Sequence, residues 1–75
     1  MVETTVRIDG MMCGMCEAHM NDAIRRVLPD AKKVKSSFKK GVTVFRTENA
    51  VDEEILKNVV ADTGYTFVSC ETAEK

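Results

Sequence analysis

The chain has 75 residues, enough for one small domain with a single hydrophobic core. Its hydrophobic fraction of 44% and charged fraction of 31% exclude a disordered chain. The formal net charge of −1 gives no general attraction to nucleic acid, and no apolar run approaches the roughly 18 residues that a membrane span needs. We therefore expect one domain over residues 1–71 with a flexible tail at 72–75, no nucleic-acid binding and no membrane insertion.

The first third of the chain predicts a strand followed by a helix. Apolar or threonine residues alternate with polar ones from Val2 to Asp9, which is the period of a half-buried strand, and Gly10 ends it. From about Met15 the apolar residues recur at helical spacing, with acidic side chains early and basic ones late, as the helix dipole favours. Pro29 is expected to end this helix.

The middle of the chain predicts a hairpin and a second helix. Segments 32–38 and 42–47 flank a Lys-Lys-Gly turn and are expected to pair as strands. Asn49 is the expected N-cap of the second helix and Gly64 its C-terminal cap. The expected buried stripe of that helix consists of Val51, Ile55, Leu56, Val59 and Val60.

A last strand is expected over residues 65–71, with Tyr65 and Phe67 on one face and Cys70 on the other. The element order is then βαββαβ. This order predicts an α+β, ferredoxin-like sandwich, in which two helices cover one face of a four-stranded antiparallel sheet.

The chemistry of the chain is concentrated in one segment, Gly10-Met11-Met12-Cys13-Gly14-Met15-Cys16. Cys13 and Cys16 are spaced to close on one soft metal ion or on each other. They lie at the predicted start of a helix, where the dipole favours a thiolate. Thiolates select Cu(I) and also bind Zn(II), but Zn(II) wants four ligands, which the chain does not supply in an obvious way. A thioredoxin-like pair is disfavoured because the chain has no Trp and its one Pro is distant.

Other residues near this pair have more than one interpretation. His19, one helical turn after Cys16, is either an additional ligand or a surface histidine. Met12 and Met15 are expected to be exposed and to form an adaptable docking rim. Cys70 is expected at the far end of the last strand, as a half-buried structural thiol.

The cysteine segment resembles the GMxCxxC signature of heavy-metal-associated domains, which are small copper chaperones and N-terminal modules of metal-transporting P-type ATPases. The βαββαβ order and the Gly64-Tyr65 pair also match, so the resemblance covers nearly the whole chain. It implies that Cys13 and Cys16 bind Cu(I), that Met11 tucks into the core and braces the loop, and that Tyr65 lies close to the metal. The family often has Thr or a similar small residue at position 12, where this chain has Met.

We expect a cytoplasmic Cu(I) metallochaperone, which is not an enzyme because metal transfer breaks no bond in a substrate. Residues 1–5 lack the pattern of a signal peptide, which agrees with a reducing compartment. The expected partner is the heavy-metal-associated domain of a metal-transporting P-type ATPase, and the expected state is a monomer, with a metal-bridged dimer as the alternative. Three other functions stay open: a Zn(II), Cd(II) or Hg(II) carrier that uses His19, a thiol–disulfide oxidoreductase, and an excised ATPase module.

Overall fold

The computed structural model describes residues 1–12 and 14–74. Three elements form the first half: β1 (Val2–Asp9), α1 (Gly14–Val27) and β2 (Lys32–Ser37). Three more follow: β3 (Val42–Thr47), α2 (Glu53–Thr63) and β4 (Thr66–Glu74). The strands form one antiparallel sheet in the order β2-β3-β1-β4. The predicted ferredoxin-like fold is confirmed.

Both helices lie over the same face of this sheet and contact each other. The alternation in β3 places Phe45 inward, on the same face as Thr43 and Thr47. Apolar side chains from both helices and three strands form the core; they are Val6, Ile8, Met11, Met20, Ile24, Val34, Phe45, Leu56, Val59 and Val60. Burying each large apolar side chain contributes about 1.5–3 kcal/mol, so this layer holds both helices against the sheet.

Helix α2 begins later than the sequence pattern predicts. Asp52 is its N-cap, because Oδ1 of this residue accepts a hydrogen bond from the Glu54 amide at 3.0 Å. The prediction of Asn49 as the cap is therefore wrong: the Thr47 hydroxyl donates to the Asn49 carbonyl oxygen at 2.5 Å, within a turn that precedes the helix.

The buried stripe of α2 is narrower than predicted, while its predicted C-terminal end is confirmed. Ile55 is 38% exposed, and Val51 lies before the helix. Gly64 adopts a left-handed conformation with φ of 89°, and its amide bonds to the Ala61 carbonyl at 3.0 Å. Glycine adopts such a φ without the steric cost that a Cβ brings.

Strand β4 is longer than predicted and contains an irregularity. It continues to Glu74, which pairs with Val2, so the expectation of a loose tail is wrong for residues 72–74; residue 75 lies outside the described residues. Arg7 faces Ser69 and Ile8 faces Phe67, which leaves one extra residue in β4. Such a bulge shifts the alternation by one position.

The bulge changes the face on which Cys70 lies. Cys70 pairs with Val6 and packs against the core on the helix side of the sheet, as Phe67 also does. The prediction that these two side chains lie on opposite faces is wrong, because strict alternation holds only in a regular strand.

The two ends of the sheet are defined by different strand pairs and by the position of the start of α1. Asp9, at the end of β1, pairs with Thr66 at the start of β4, and α1 begins at this same end of the molecule. We call it the loop end. Val2 pairs with Thr47 and Glu74 at the other end. Within the described part of the chain, no helix has the length and apolar character that crossing a membrane requires.

Candidate metal site

The loop end begins at Gly10, whose conformation depends on the absence of a side chain. Its φ is 110°, and a Cβ at this position would lie 3.4 Å from Cδ1 of Tyr65. Just before it, the Ile8 amide donates to the Gly41 carbonyl at 2.7 Å, which ties the end of β1 to the β2–β3 turn. The chain therefore leaves the sheet along a fixed path beneath Tyr65.

Met11, the next residue, anchors the loop to the interior. Its side chain is only 6% exposed and belongs to the core. The burial that the resemblance implied is therefore confirmed, and the role of Met11 in bracing a metal loop stays a prediction. Met is unbranched and fills irregular gaps well, which suits a position between a loop and two layers of structure.

Helix α1 begins at Gly14, one residue earlier than predicted, so Cys16 lies in its first turn. The Cys16 side chain is half-buried and packs against the core. The N-terminal turn of a helix carries partial positive charge from unpaired N–H groups, and this favours an anionic sulfur. Cys13 lies outside the described residues, so its predicted role as a ligand stays a prediction.

Two polar side chains tie the start of α1 to the β2–β3 hairpin. Oε2 of Glu17 accepts a hydrogen bond from the Phe38 amide at 2.9 Å. One turn further on, the Ser36 hydroxyl donates to Oδ1 of Asn21 at 2.7 Å and lies 2.8 Å from Oγ1 of Thr43. A hydroxyl has only one proton, so Thr43 donates in the second bond.

Sequence reasoning missed Glu17, although it directly follows Cys16. Its partner is 21 residues away in the chain, and no local pattern signals such a contact. The bond holds the carboxylate against the hairpin and fixes the orientation of the turn that carries Cys16.

His19 lies on the side of α1 that meets Tyr65. The two ring centroids are 6.3 Å apart and the ring planes make an angle of 70°. Since Tyr65 also covers Gly10, this contact places an exposed imidazole near the root of the loop, one helical turn after Cys16. Among residues 1–12 and 14–74, no three His, Cys, Asp or Glu side chains are grouped so that they could hold a metal ion.

Comparison with curated proteins finds metal-processing relatives. The chain is 35% identical over 60 residues to a mercuric reductase of Bacillus cereus and 30% identical over 60 residues to one of Lysinibacillus sphaericus, and each match covers 80% of this chain. The chain spans only 9% and 11% of the lengths of these relatives. No family model matches the sequence.

Solved structures match the fold over nearly its whole length. A CopZ metallochaperone has a TM-score of 0.76 at 19% identity, with 88% of this chain and 98% of the other covered. The yeast copper transporter domain CCC2A, solved in apo and Cu(I)-loaded states, has a TM-score of 0.75 at 23% identity, with 99% and 97% covered. The N-terminal domain of the zinc(II) ATPase ZiaA has a TM-score of 0.64 at 23% identity, with 87% and 92% covered. The chain has the heavy-metal-associated fold.

Two large apolar side chains at the loop end lie in solvent. Met12 is 80% exposed and Met15 is 82% exposed, as predicted. They flank the position of Cys13 in the chain, and Met15 directly precedes Cys16.

The third cysteine of the chain, Cys70, lies away from the loop end. Sγ of Cys70 donates to Oε1 of Glu53, 3.7 Å away at the start of α2. Burial, followed by the charge of Glu53 and this hydrogen bond, raises the pKa of the Cys70 thiol, while Lys57 opposes the shift. This shift favours the protonated thiol, which agrees with the partial packing of Cys70 against the core.

Proposed function

We propose that residues 1–74 form one domain that carries a soft metal ion, foremost Cu(I), between Cys13 and Cys16. The observation that carries the proposal is the position of Cys16, in the first turn of α1 and directly after a loop whose root is fixed by buried Met11. A sulfur held there experiences the positive end of the helix dipole, and thiolates are the ligands that Cu(I) prefers.

Transfer follows from the openness of such a site. Two thiolates satisfy Cu(I) in a near-linear geometry and leave the ion accessible to incoming sulfur. A partner domain with its own cysteine pair adds one thiolate to give a three-coordinate intermediate, and Cys13 or Cys16 then leaves. No bond in a substrate breaks during this exchange, so the proposed activity is carriage and not catalysis.

The proposed acceptor is the heavy-metal-associated domain of a metal-transporting P-type ATPase, reached in the cytoplasm. Similarity to a metallochaperone and to a copper transporter domain supports this choice.

Metal competition tests the proposal. Purified protein under reducing conditions is given Cu(I) and Zn(II) together, each buffered by a chelator of known affinity. We expect Cu(I) to occupy the protein in stoichiometric amount and to move to an acceptor domain that bears a CxxC pair. Preferential loading with Zn(II) would contradict the copper proposal.

A second candidate is a carrier of Zn(II), Cd(II) or Hg(II) that adds His19 to the cysteine pair. The observation that favours it is the edge contact between His19 and Tyr65, which holds the imidazole near the root of the loop. The mercuric reductase relatives also fit a carrier of Hg(II). A large loss of Zn(II) affinity in His19→Ala, with Cu(I) affinity unchanged, would favour this candidate.

A further inference from the structure

The helices cover one face of the sheet and leave the other uncovered within residues 1–12 and 14–74. Side chains that point toward the helices, such as Thr4, Val6 and Phe45, are buried, and those that alternate with them are half-buried or exposed. Residues directly opposite each other in antiparallel strands lie on the same face, so the strand pairing fixes which side chains are neighbours. We call this surface the open face; its central side chains are Glu3, Thr5, Lys35, Val44, Arg46 and Glu71.

One row across the open face carries a positive charge at one end and a negative charge at the other. Val44 pairs with Lys35 on β2 and with Thr5 on β1, and Thr5 in turn pairs with Glu71 on β4. The row from edge to edge is therefore Lys35-Val44-Thr5-Glu71, with neighbouring strands about 4.8 Å apart. Among the residues that the structure describes, neither Lys35 nor Glu71 makes an ion pair.

The neighbouring row contains an ion pair between two strands. Arg46 pairs with Glu3, and Nε of Arg46 lies 3.2 Å from Oε2 of Glu3. Lys32 completes this row on β2 and Ala73 completes it on β4. In these two rows the cations thus lie on β2 and β3, and the carboxylates lie on β1 and β4.

The basic half of the open face also contains a hollow. Lys33 has a φ of 54° and lies where the register between β2 and β3 shifts. A residue with a Cβ rarely adopts such a φ, and a bulge of this kind re-aims its side chain. Lys33 and Lys35 line a hollow of about 340 Å³ together with Val44 and the Arg46–Glu3 pair. In the described part of the chain neither lysine has an ion-pair partner, so the hollow suits a carboxylate that arrives from outside the domain.

We propose that the open face is a self-association surface, on which a second copy of this chain packs face to face about a two-fold axis parallel to the strands. This axis places β2 of one copy over β4 of the other, and β3 over β1. Lys35 then faces the partner's Glu71, and Arg46 faces the partner's Glu3. Because the axis is two-fold, each of these opposite-charge contacts occurs twice.

The charges also select this axis over the alternative. A two-fold axis between the sheets but perpendicular to the strands would place each strand over its own copy. The lysines of β2 would then face one another, as would the carboxylates of β4, and like charges directly opposite are destabilising. With the axis parallel to the strands, the remaining row brings Arg7 over the partner's Val42, so no like charges meet.

The area of the open face limits the strength of the contact. Four strands about 4.8 Å apart and roughly six residues long give a face about 19 Å by 20 Å. Val42 and Val44 are half-buried there, and Val68, in the bulge of β4, is 58% exposed. Packing two such faces together buries apolar surface, but the area falls near the lower limit for specific interfaces. We therefore expect a weak dimer that dissociates on dilution.

Sedimentation equilibrium over a concentration series tests the proposal with metal-free, reduced protein, in the parent and in a Cys13→Ser, Cys16→Ser double variant. We expect both to form a dimer that weakens as salt is raised, because salt screens ion pairs near the surface. Lys35→Glu and Glu71→Lys should each weaken the dimer at least about tenfold, since each creates two like-charge contacts. Arg26→Glu, at an exposed position of α1, makes the same change in charge as Lys35→Glu and should have no effect.

Charge exchange distinguishes this contact from a general effect of net charge. A mixture of Lys35→Glu and Glu71→Lys restores opposite charges at both contacts, so it should form a heterodimer of parental affinity, which also shows that both variants fold. A parent that stays monomeric, an equal loss in Arg26→Glu, or no rescue in the mixture would overturn the proposal. A dimer that forms only with Cu(I) would also overturn it, by placing the contact at the loop end. Since the proposed dimer needs no metal, each of these outcomes leaves the proposed function unaffected.

Discussion

The imidazole of His19 meets the ring of Tyr65 edge-on, with the ring centroids 6.3 Å apart. The same tyrosine lies over Gly10, where any Cβ would come within 3.4 Å of its ring. One aromatic side chain therefore joins the end of β1, the second turn of α1 and the segment that leads into β4. These are the three pieces of backbone that frame the candidate metal site.

Replacing Tyr65 should release His19. Tyr65→Phe keeps an aromatic ring and should preserve the edge contact, whereas Tyr65→Leu removes it, at a cost of about 0.5–1.5 kcal/mol beyond lost burial. The ring-proton chemical shifts of His19 report the contact directly by NMR. We expect these shifts to change in the Leu variant and to stay close to parental in the Phe variant; equal changes in both would show that the contact is absent in solution.

Two glycines at the loop end, Gly10 before α1 and Gly14 at its start, should respond oppositely to replacement by alanine. Gly10→Ala places a Cβ at a φ of 110° and against Tyr65, so we expect a loss of about 1–2 kcal/mol in the free energy of unfolding. Gly14→Ala adds a Cβ with no heavy atom within 4 Å, in a helix, and should gain up to about 1 kcal/mol. Urea unfolding of the metal-free proteins measures both. A Gly10→Ala protein as stable as the parent would contradict the loop geometry.

Thr4 is a site where a polar atom is buried without compensation. Among the described residues, no hydrogen-bond partner lies within reach of its Oγ1, which is fully buried. Thr4→Val removes the buried hydroxyl that makes no hydrogen bond, and should stabilise the domain by about 1 kcal/mol. Thr43→Val is the matched control, since Thr43 is equally buried but bonds to Ser36, and it should destabilise. Thermal and urea unfolding of the pair give the comparison; the same sign in both would be the contrary result.

Cys70 should titrate at a higher pH in the folded domain than in the unfolded chain. Burial and then Glu53 raise the pKa of its thiol, so the folded state favours the protonated form. This contribution to stability is complete below the ordinary pKa of the thiol and is lost as the pH rises through the raised value. In a Cys13→Ser, Cys16→Ser background, the alkylation rate of Cys70 against pH should have its midpoint shifted upward relative to denatured protein.

The carboxylates of α2 provide the control for this titration. Glu53→Gln removes the negative charge beside the Cys70 sulfur and should move the alkylation midpoint to lower pH. Glu54→Gln removes the same charge one residue along the helix, where the Cys70 thiol has no bond to it, and should have a smaller effect. Identical shifts in the two variants would contradict the specific role of Glu53.

Local sequence patterns predicted most of the secondary structure correctly. They failed where contacts between distant parts of the chain determine the structure. Alternation in β1 and the left-handed Gly64 depend on neighbouring residues, and both were predicted correctly. The bulge that turns Cys70 toward the helices depends on how β4 registers against β1, which a single strand does not encode. The cap at Asp52 was missed because Asn49 is also a residue type that N-caps prefer, and only the turn at Thr47 excludes it.

For the candidate site too, the sequence predicts some of the residues, and tertiary contacts determine the rest. Spacing and resemblance identified the cysteine pair, His19 and Tyr65, and the structure places the last two in contact. The bond from the Phe38 amide to Glu17 arises from tertiary packing between a helix and a hairpin, so no local sequence pattern predicts it. The roles of Cys13 and Cys16 as ligands stay a prediction until metal binding is measured.

The most direct measurement of the central claim is Cu(I) affinity, by competition with a chelator, in the parent and in three single variants. Cys13→Ser and Cys16→Ser should each lose affinity by more than about a hundredfold, since each removes one of two ligands. Cys70→Ser removes the thiol that lies away from the loop end and should bind as the parent does. Parental affinity in either loop variant, or an equal loss in Cys70→Ser, would contradict the account.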